Sequence, residues 1–460
     1  MSLESTVERA SKLVIPTSEE SRRLEKVVET VNSLLVGVYK DLGEAERPNV
    51  ALGGSYAKGT WLKGTHDIDF FLQYPKEYPR EKLETDAVER AKLAVKKYKI
   101  NMRYAEHPYV ETFIDDVRVN LVPCYRVAQG AWQSAADRSP YHAEYVRAKF
   151  DDKLRHEARL LKKFAKASDV YGAEVRIQGF SGYVCEVLVL SYGSFMKTLE
   201  GLASIKQNEV ISIEPYDKAF VTLFKSPLVI LDPVDTTRNL GAAISARNIA
   251  RLALESRRFL AKPSISYFAA RRSSVKVSPQ TRHLLERTIT VEFKNSKRSP
   301  DILWGELRKS SKALAEKIGF LGYDVLRVGA ASDEETDSAL LFLLLDTRVG
   351  EMQLRYGPEY FRRNEVTNFE TKNKARSLLT FIGEDGRLRS IRAREKDSTD
   401  AITAVRSLIT RKLKDLGLSR EIQREIRHGL VIETGEKALR RFKSPDHWLV
   451  RELLEISGRE

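Results

Sequence analysis

Two aspartates that flank a single isoleucine, Asp67 and Asp69, are the residues of this 460-residue chain whose spacing most suggests chemistry. Alternate residues of a β-strand point to the same face, about 6.6 Å apart along the strand. Both carboxylates therefore share one face, while Ile68 points into the core. Two such carboxylates repel each other unless a cation lies between them. Oxygen ligands of this kind suit Mg²⁺, which takes one or two carboxylates together with phosphate oxygens and water.

A Gly-Ser pair, Gly54 and Ser55, precedes Asp67 by the eleven residues 56–66. Gly54 lets a ligand approach the backbone closely, and the successive N–H groups after it can hold an anion. Lys58 adds a positive charge where a triphosphate would lie. The two aspartates alone could equally be the solvated face of an edge strand, and the glycines a tight turn. Together with the Gly-Ser pair and a later hairpin strand, the pattern favours a nucleotide-binding site.

The segments that position these residues follow from hydrophobic periodicity. Thr17 is a predicted N-cap with acidic residues after it, and the amphipathic helix that it starts is expected to stop at Gly43. The next predicted segments are a strand over 49–52, a strand in HDIDFFLQY, a helix over 81–98, and a hairpin of YVETFI and VRVNLVPCY around Asp115 and Asp116. They make a small α/β domain that ends near residue 145.

The rest of the chain changes character twice. From Asp151 to about residue 260 the periodicity is mainly helical, and the Pro- and Ser-punctuated segment LAKPSISYFAARRSSVKVSP follows. The stretches TITVEF, ILWGELRKSSKALAEKIGF, YDVLRVGAAS and DSALLFLLLD then predict strand, helix, strand and strand, as in a ferredoxin-like unit. Turns and basic helices occupy the chain from about residue 350. We expect four domains, over 1–145, 146–265, 266–350 and 351–460.

Composition narrows the class of protein. Hydrophobic residues make up 42% and charged residues 31% of the chain, as in ordinary soluble globular proteins. The longest apolar run, Ala339 to Leu345, is too short to cross a bilayer, and no secretory signal is visible, so we expect a cytoplasmic protein with no membrane partner. Cys124 and Cys185 are expected to be buried thiols rather than a disulfide. The net charge of +14 favours a polyanion such as nucleic acid.

Several longer segments carry a resemblance to a known family. They are GSYAKGTWLKGTHDIDFFL, HPYV with VRVNLVPCY, SAADRSPYHAEYV, RLLKKFAKASDVYGAEVRIQGFSGYVCEVLVLSYGSF and LDPVDTTRN. In combination they resemble the archaeal, class I CCA-adding enzymes of the polymerase-β-like nucleotidyltransferase superfamily. The similarity covers roughly the first 240 residues. FIGEDGRLRSIRARE is similar to the C-terminal part of the same family, through a less specific motif.

The resemblance implies an α+β multidomain fold. Its parts are a polymerase-β-like nucleotidyltransferase head, a helical neck, a ferredoxin-like body and an α/β RNA-binding tail. It also implies the template-independent addition of C, C and A to the 3′ end of tRNA, with CTP and ATP as substrates and two Mg²⁺ ions. The Gly-Ser turn would hold the triphosphate, and the carboxylates would hold the metals that transfer its α-phosphate. No protein partner is implied, and a homodimer stays open.

Individual positions match the family as well. Ser55 and Lys58, after Gly54, match the residues that hold the triphosphate, although arginine is usual where Lys58 stands and lysine lacks its bidentate fork. Asp67 and Asp69 match the first two metal carboxylates.

Four later residues match the nucleotide site of the family. His142, Lys162 and Tyr171 match nucleotide-binding residues, with Lys162 facing phosphates, and Arg238 matches the arginine that reads the incoming base. Each has a plainer alternative, in which His142 caps a helix, Lys162 is solvated, Tyr171 belongs to the core and Arg238 caps the segment before it.

Asn120 stands where the family has its third catalytic, metal-binding carboxylate, directly before LVPCY. Strand alternation places Asn120 on one face with Arg118 and Val122, so its amide is expected to point at the metals. A neutral amide cannot accept the proton of a 3′-hydroxyl, and losing the charge could slow transfer about a thousandfold or more. Asp116 lies about 13 Å further along the strand, too far to replace it. Either an acid was deliberately replaced to keep substrates unreacted, which we favour, or asparagine is natural.

Two other functions stay possible on the same residues. One is a poly(A)-polymerase-like terminal transferase, and the other is a catalytically retired RNA-binding protein, which Asn120 alone supports. For RNA contact, four basic stretches are candidates: KNSKRS (294–299), RYGPEYFRRN (355–364), RLRSIRAREK (387–396) and ALRRFK (438–443). Each is more often a solvated surface, but four of them in a basic chain favour a groove that binds tRNA.

Overall fold

The computed structural model describes residues 2–44, 46–104, 107–269, 277–375, 377–394, 399–442 and 444–458. It divides into two compact units, residues 1–271 and 272–460. Residues 270–276 of the Pro- and Ser-punctuated segment, and the last residues of the basic stretches 387–396 and 438–443, lie outside the described residues. Within the described ranges, no helix is long and apolar enough to cross a membrane.

The first unit combines β-sheets with a group of helices. Its strands are β1 (Asn49–Gly53), β2 (Asp67–Pro75), β3 (Ile100–Tyr104), β4 (Pro108–Ile114), β5 (Val117–Arg126), β6 (Glu209–Ile211), β7 (Leu228–Asp232) and β8 (Asp235–Asn239). Its helices are α1 (Leu3–Val14), α2 (Ser18–Tyr39), α3 (Gly54–Ala57), α4 (Arg80–Glu84), α5 (Asp86–Ala94), α6 (Arg138–Lys149), α7 (Asp152–Ala167), α8 (Gly182–Tyr192), α9 (Phe195–Ala203), α10 (Lys218–Val221) and α11 (Ala246–Ala261).

The larger sheet of this unit has the strand order β1-β2-β5-β4-β3. β2 and β5 run parallel, whereas the other neighbouring strands are antiparallel. Helices α2 and α5 cover one face, where Ile68 and Phe70 of β2 and Val119 of β5 are fully buried. Because side chains alternate along a strand, Asp67 and Asp69 lie on the opposite face. The predicted strands and the predicted face of the two aspartates are confirmed.

The hairpin that joins β4 to β5 is also confirmed. Asp115 and Asp116 have φ of 49° and 57°, so both are in the left-handed region. Two consecutive left-handed residues characterise a type I′ turn, which matches the twist of antiparallel strands. The turn sets the register in which β4 meets β5, and that register matters for the site.

Two helix boundaries differ from the prediction. The helix that Thr17 caps ends at Tyr39 rather than at Gly43, because the N–H of Leu42 turns back to the carbonyl of Tyr39 at 3.2 Å. The single helix expected over 81–98 is divided into α4 and α5 at Thr85, and α5 ends at Ala94 rather than at residue 98. The backbone of Thr85, at φ −113° and ψ −76°, departs from regular helical angles and ends the first helix there.

The helical part of the first unit packs around aromatic side chains. The ring of Phe164 in α7 lies 5.9 Å from Phe195, 5.6 Å from Phe259 and 5.9 Å from Phe268. All four side chains are fully buried. Cys124 and Cys185 are buried free thiols, as predicted.

The second unit contains a four-stranded and a three-stranded sheet. Its strands are β9 (Thr288–Lys294), β10 (Val325–Ser332), β11 (Asp337–Leu344), β12 (Met352–Glu359), β13 (Leu379–Ile382), β14 (Arg387–Ala393) and β15 (Val431–Thr434). Its helices are α12 (Pro279–Glu286), α13 (Pro300–Phe320), α14 (Arg363–Asn373), α15 (Ala401–Lys412), α16 (Arg420–His428), α17 (Gly435–Arg440) and α18 (Trp448–Ile456). The strand, helix, strand and strand predicted from TITVEF onward are confirmed as β9, α13, β10 and β11.

Both sheets of the second unit are antiparallel. The strand orders are β10-β11-β9-β15 and β12-β14-β13. The first sheet packs its apolar face against α18, where Leu449, Val450 and Leu453 are fully buried.

We expect Phe164→Ala to lower the free energy of unfolding by about 3–5 kcal/mol, because it leaves a cavity inside the aromatic cluster. Urea denaturation followed by circular dichroism measures the change. Phe320→Ala is the matched control, since Phe320 is 68% exposed at the end of α13. It should change stability by no more than about 0.5 kcal/mol. Equal effects of the two substitutions would contradict the packing described here.

Candidate active site

The turn after β1 brings the backbone against the face of the sheet that carries Asp67 and Asp69, which we call the acidic face. Gly53 pairs with Asp69 across β1 and β2, and Gly54 follows with a φ of +62°. A Cβ built on Gly54 would lie 1.9 Å from Oδ2 of Asp69. Glycine is therefore required at this position both by its conformation and by the close approach of the carboxylate. Ser55 lies in α3, directly after this turn, and its carbonyl accepts the N–H of Thr60 at 2.9 Å.

Asp67 forms a bidentate ion pair with Arg118, its partner across β2 and β5. Nε and Nη2 of Arg118 donate to Oδ1 and Oδ2 of Asp67 at 2.9 and 2.8 Å. A bidentate guanidinium–carboxylate pair is among the stronger polar contacts in proteins. The carboxylate thus already binds a cation on the exposed side of the sheet.

Asp69 pairs with Asn120 across β2 and β5, two residues along both strands from the pair of Asp67 and Arg118. Nδ2 of Asn120 donates to Oδ1 of Asp69 at 2.8 Å, and Oδ1 of Asn120 is buried with no hydrogen-bond partner among the described residues. Burial raises the pKa of Asp69, while the hydrogen bond from Asn120 and the charges of Arg118 and Lys58 act to lower it. A buried acceptor without a hydrogen-bond partner destabilises the fold, unless a ligand supplies the missing contact.

These residues fit a hard divalent cation. Their donors are carboxylate and amide oxygens, and the unpartnered oxygen of Asn120 lies beside the buried carboxylate of Asp69. Over the described ranges, no group of three His, Cys, Asp or Glu side chains is placed to hold a metal ion. The remaining ligands would therefore be an amide oxygen, water or phosphate oxygens, as is usual for cations bound together with nucleotides.

Lys58 and Lys162 meet at one buried carboxylate, which belongs to Glu186 of α8. Nζ of Lys58 lies 2.6 Å from Oε2 of Glu186, and Nζ of Lys162 lies 2.6 Å from Oε1. Nζ of Lys162 also donates to Oγ1 of Thr60 at 2.8 Å. Exposure is 6% for Lys58, 1% for Lys162 and 0% for Glu186. The alternative of a solvated Lys162 is thus excluded.

The charges of this cluster do not cancel. Burial alone would raise the pKa of Glu186, but Lys162 and Lys58 lower it to about 2. Burial lowers the pKa of Lys162, and the neighbouring Lys58 lowers it further. Two lysines share one carboxylate, so the cluster carries an excess positive charge that an added anion would stabilise. Tyr171 is close to the same place, since its hydroxyl lies 2.9 Å from a Cβ built on Gly182.

His142 and Arg238 are joined by a second buried carboxylate, Asp232 at the end of β7. Nε2 of His142 lies 2.8 Å and Nη1 of Arg238 lies 3.1 Å from Oδ2 of Asp232. The ring of His142 stacks on Tyr183 at 3.9 Å between centroids. Nζ of Lys58 lies 5.2 Å from the centroid of the Tyr183 ring, which connects the two clusters. His142 lies inside α6 and does not cap it.

Electrostatics keep this second cluster in a defined protonation state. Burial lowers the pKa of His142, so the neutral ring is favoured. Burial would raise the pKa of Asp232, but the hydrogen bond from His142 lowers it. A neutral imidazole beside an ionised carboxylate donates its Nε2–H to Asp232, which leaves Nδ1 as an acceptor.

Sequence reasoning missed three members of the site: Glu186, Asp232 and Tyr183. Glu186 is the single charged residue of the otherwise apolar run GYVCEVLVL, and a lone acid in a buried helix demands a cationic partner. Asp232 stands in LDPVDTTRN, where attention fell on the arginine alone. Tyr183 had no sequence signal beyond its place beside Gly182.

We expect Glu186→Gln to lower the free energy of unfolding by about 3–5 kcal/mol at neutral pH, because it keeps the shape and leaves two buried lysines without their carboxylate. The pKa of Glu186 is lower in the folded chain than its ordinary value of 4.5, at about 2. The difference between variant and wild type should therefore be full above pH 4.5 and shrink as the pH falls toward 2. Urea denaturation at several pH values measures it.

The matched control is Glu84→Gln, which removes an exposed carboxylate paired with Arg80 at 2.9 Å. It should change stability by less than about 1 kcal/mol. A pH-independent loss in Glu186→Gln would contradict the assigned ionisation.

Comparison with known proteins places the whole chain in a family. Three family models match consecutive parts: a nucleotidyltransferase domain over 35–142, a tRNA nucleotidyltransferase second domain over 156–269 and a CCA-adding enzyme C-terminal domain over 286–435. Among solved structures, that of CdnC from E. coli MS115-1 with ATP covers 57% of this chain and 94% of that chain, at 17% identity and a TM-score of 0.45. This likeness is too distant to carry an argument.

Curated relatives are much more similar. The CCA-adding enzyme of Sulfolobus acidocaldarius is 36% identical over 86% of this chain and 90% of its own length. That of Saccharolobus islandicus is 35% identical over 88% of this chain and 92% of its own length. That of Sulfurisphaera tokodaii is 36% identical over 84% of this chain and 88% of its own length. The resemblance inferred from the motifs is confirmed, and the chain belongs to the archaeal family of CCA-adding enzymes.

Proposed function

We propose that this chain is a tRNA nucleotidyltransferase that adds C, C and A in turn to the 3′ end of tRNA, with CTP and ATP as substrates. The names of its relatives support the activity. The observation that carries the proposal is the pairing of β2 with β5, which sets Asp67 and Asp69 opposite Arg118 and Asn120 beside the Gly54 turn. Such a face joins an oxygen-lined cation site to a place where a triphosphate can approach the backbone.

The lysine cluster would bind the triphosphate. Lys58 and Lys162 carry the excess positive charge, and Glu186 holds both ammonium groups in place. A phosphate that replaces part of the Glu186 contact gains two charge-assisted hydrogen bonds. Ser55 and the turn at Gly54 would hold the same phosphates through backbone and hydroxyl groups.

Asp67, Asp69 and Asn120 would hold Mg²⁺ on the acidic face. Asp67 would exchange the guanidinium of Arg118 for the cation, and Oδ1 of Asn120 would gain a partner. Bound there, Mg²⁺ supplies activation of the 3′-hydroxyl and charge stabilisation at the phosphate. The tRNA 3′-oxygen forms the new bond to the α-phosphorus as the bond to pyrophosphate breaks, and the hydroxyl proton leaves to solvent or to a carboxylate.

The second cluster would receive the base and the sugar. Arg238 has 40% of its side chain exposed, so its guanidinium remains accessible to a base edge. Asp232 orients both Arg238 and His142 and thereby fixes which donor groups face the ligand. An open cavity on this side of the first unit is lined by Arg138, Phe224, Asp235, residues 237–240, Ala242 and Ala243.

We also retain the expected domain architecture as part of the proposal: head 1–145, helical neck 146–265, body 266–350 and RNA-binding tail 351–460. The sheet order β10-β11-β9-β15 supports a ferredoxin-like body, because strands one to four of such a unit are arranged 4-1-3-2. The fourth strand of that sheet, β15, comes from within the range proposed for the tail. For RNA, Arg355 of the tail is a candidate. Burial lowers its pKa, and the charge of Arg392 lowers it further, so a bound phosphate would stabilise the charged guanidinium.

We expect Asn120→Asp to raise the rate of CCA addition by about 10²–10³-fold, because it returns a charged ligand beside Asp69. The assay uses tRNA that lacks its CCA end, CTP, ATP and Mg²⁺, with products resolved to single nucleotides. Asp69→Asn in the same background is the control and should abolish the gain. Continuous addition of A without a stop would identify a poly(A)-polymerase-like enzyme. Inert chains that still bind tRNA would identify a retired enzyme.

We expect tRNA affinity to fall by about 10³-fold between about 50 and 200 mM salt, because several phosphates are neutralised. Arg355→Gln should reduce the slope of log affinity against log salt by about one. Filter binding or fluorescence anisotropy measures both. The matched control is Arg80→Gln, which lies outside the four basic stretches and should leave the slope unchanged. A flat salt response would remove the electrostatic part of the proposal.

A further inference from the structure

A third carboxylate lies in the same row of the sheet as Asp69 and Asn120. Asp69 pairs with Asn120 across β2 and β5, and Asn120 pairs with Glu111 across β5 and β4. Directly paired residues of neighbouring strands present their side chains on the same face. Val110, the neighbour of Glu111, is fully buried on the helix-covered side, which places Glu111 on the acidic face.

Glu111 is buried and keeps part of its carboxylate available. Its exposure is 3%. Nδ2 of Asn101 and Nε and Nη2 of Arg103 contact Oε1 at 3.1, 3.0 and 2.9 Å. Within the described part of the chain, these contacts are all made to Oε1. Oε2 is therefore left to accept another hydrogen bond.

The charge of Glu111 already acts on the site. The guanidinium of Arg118, which binds Asp67, interacts electrostatically with three carboxylates. Burial lowers the pKa of Arg118, but Asp67 raises it most, followed by Glu111 and then Asp69. The guanidinium of Arg118, held by Asp67, is thus also attracted by the charges of Glu111 and Asp69.

We propose that Glu111 supplies the negative charge that Asn120 lacks, by accepting a hydrogen bond through Oε2 from water bound to the divalent cation. Glu111 would contact a water bound to the cation rather than the cation itself. It lies two strands from Asp69, and their Cα atoms are about 10 Å apart. Mg²⁺ commonly retains several water ligands, and groups that bind those waters tune its affinity. The inference rests on the proposed function, since it deepens the same cation site.

The test measures Mn²⁺ binding to the full chain with CTP present and tRNA absent, by electron paramagnetic resonance of free Mn²⁺. We expect Glu111→Gln to raise the Kd for Mn²⁺ about tenfold, within the range found for groups that orient metal ligands. In an Asn120→Asp background, the carboxylate at position 120 already supplies the missing charge. There the same substitution should raise the Kd for Mn²⁺ by less than about threefold.

Two controls separate this role from a merely structural one. Arg103→Gln removes the ion pair of Glu111 and keeps its carboxylate, so Mn²⁺ affinity should not fall. Asp116→Asn removes a carboxylate of the same hairpin that is 98% exposed, and it should also leave Mn²⁺ affinity unchanged. Equal losses in Glu111→Gln and Arg103→Gln would assign Glu111 to the ion pair alone and overturn the inference.

The remaining outcomes are equally decisive. An unchanged Kd in Glu111→Gln, or an equal loss with Asp at position 120, overturns the inference. If one of these two results is found and the wild-type chain still adds C, C and A to tRNA, the proposed function holds and the inference about Glu111 fails. If Glu111→Gln weakens Mn²⁺ binding while neither the wild type nor Asn120→Asp extends tRNA, the metal role survives and the function fails.

Discussion

The parallel pairing of β2 with β5 is the constraint on which the acidic face depends. It sets Asp67 opposite Arg118 and Asp69 opposite Asn120. A slip of one residue would turn each of these side chains into the core and bring Ile68 to the surface. The slip is prevented because Ile68, Phe70 and Val119 are fully buried against α2 and α5. Packing on one face of the sheet thus holds the chemistry on the other.

Buried charge connects this sheet to the helices behind it. Lys58 and Thr60 come from the segment between β1 and β2, whereas Lys162 and Glu186 come from α7 and α8. An isolated charge is costly to bury, so each of these groups requires the others in place. Arg159 adds to the same join, because its guanidinium donates to the carbonyls of Gly59 and Trp61 at 2.6 and 3.0 Å. The turn that would receive the phosphates is therefore held by the helical part of the same unit.

Much of the fold could be predicted from local pattern. The strand of Asp67 and Asp69, the hairpin at Asp115 and Asp116, and the strand–helix–strand–strand run of the second unit depend on alternation and turn residues, which act over short distances. The break at Thr85 was missed because the amphipathic period continues across it. It depends on the backbone angles of one residue, Thr85, which leave the helical range.

The sequence by itself determined which residues could do the chemistry: an aspartate pair, a Gly-Ser turn, a lysine near both, and an asparagine where an acid was expected. It could not show that Glu186 joins two lysines, or that Asp232 joins His142 to Arg238. Those contacts link residues distant along the chain, and no local period encodes which distant charge meets another. Tertiary structure decides them, because burying a charge is tolerable only where the fold brings its partner within hydrogen-bond distance.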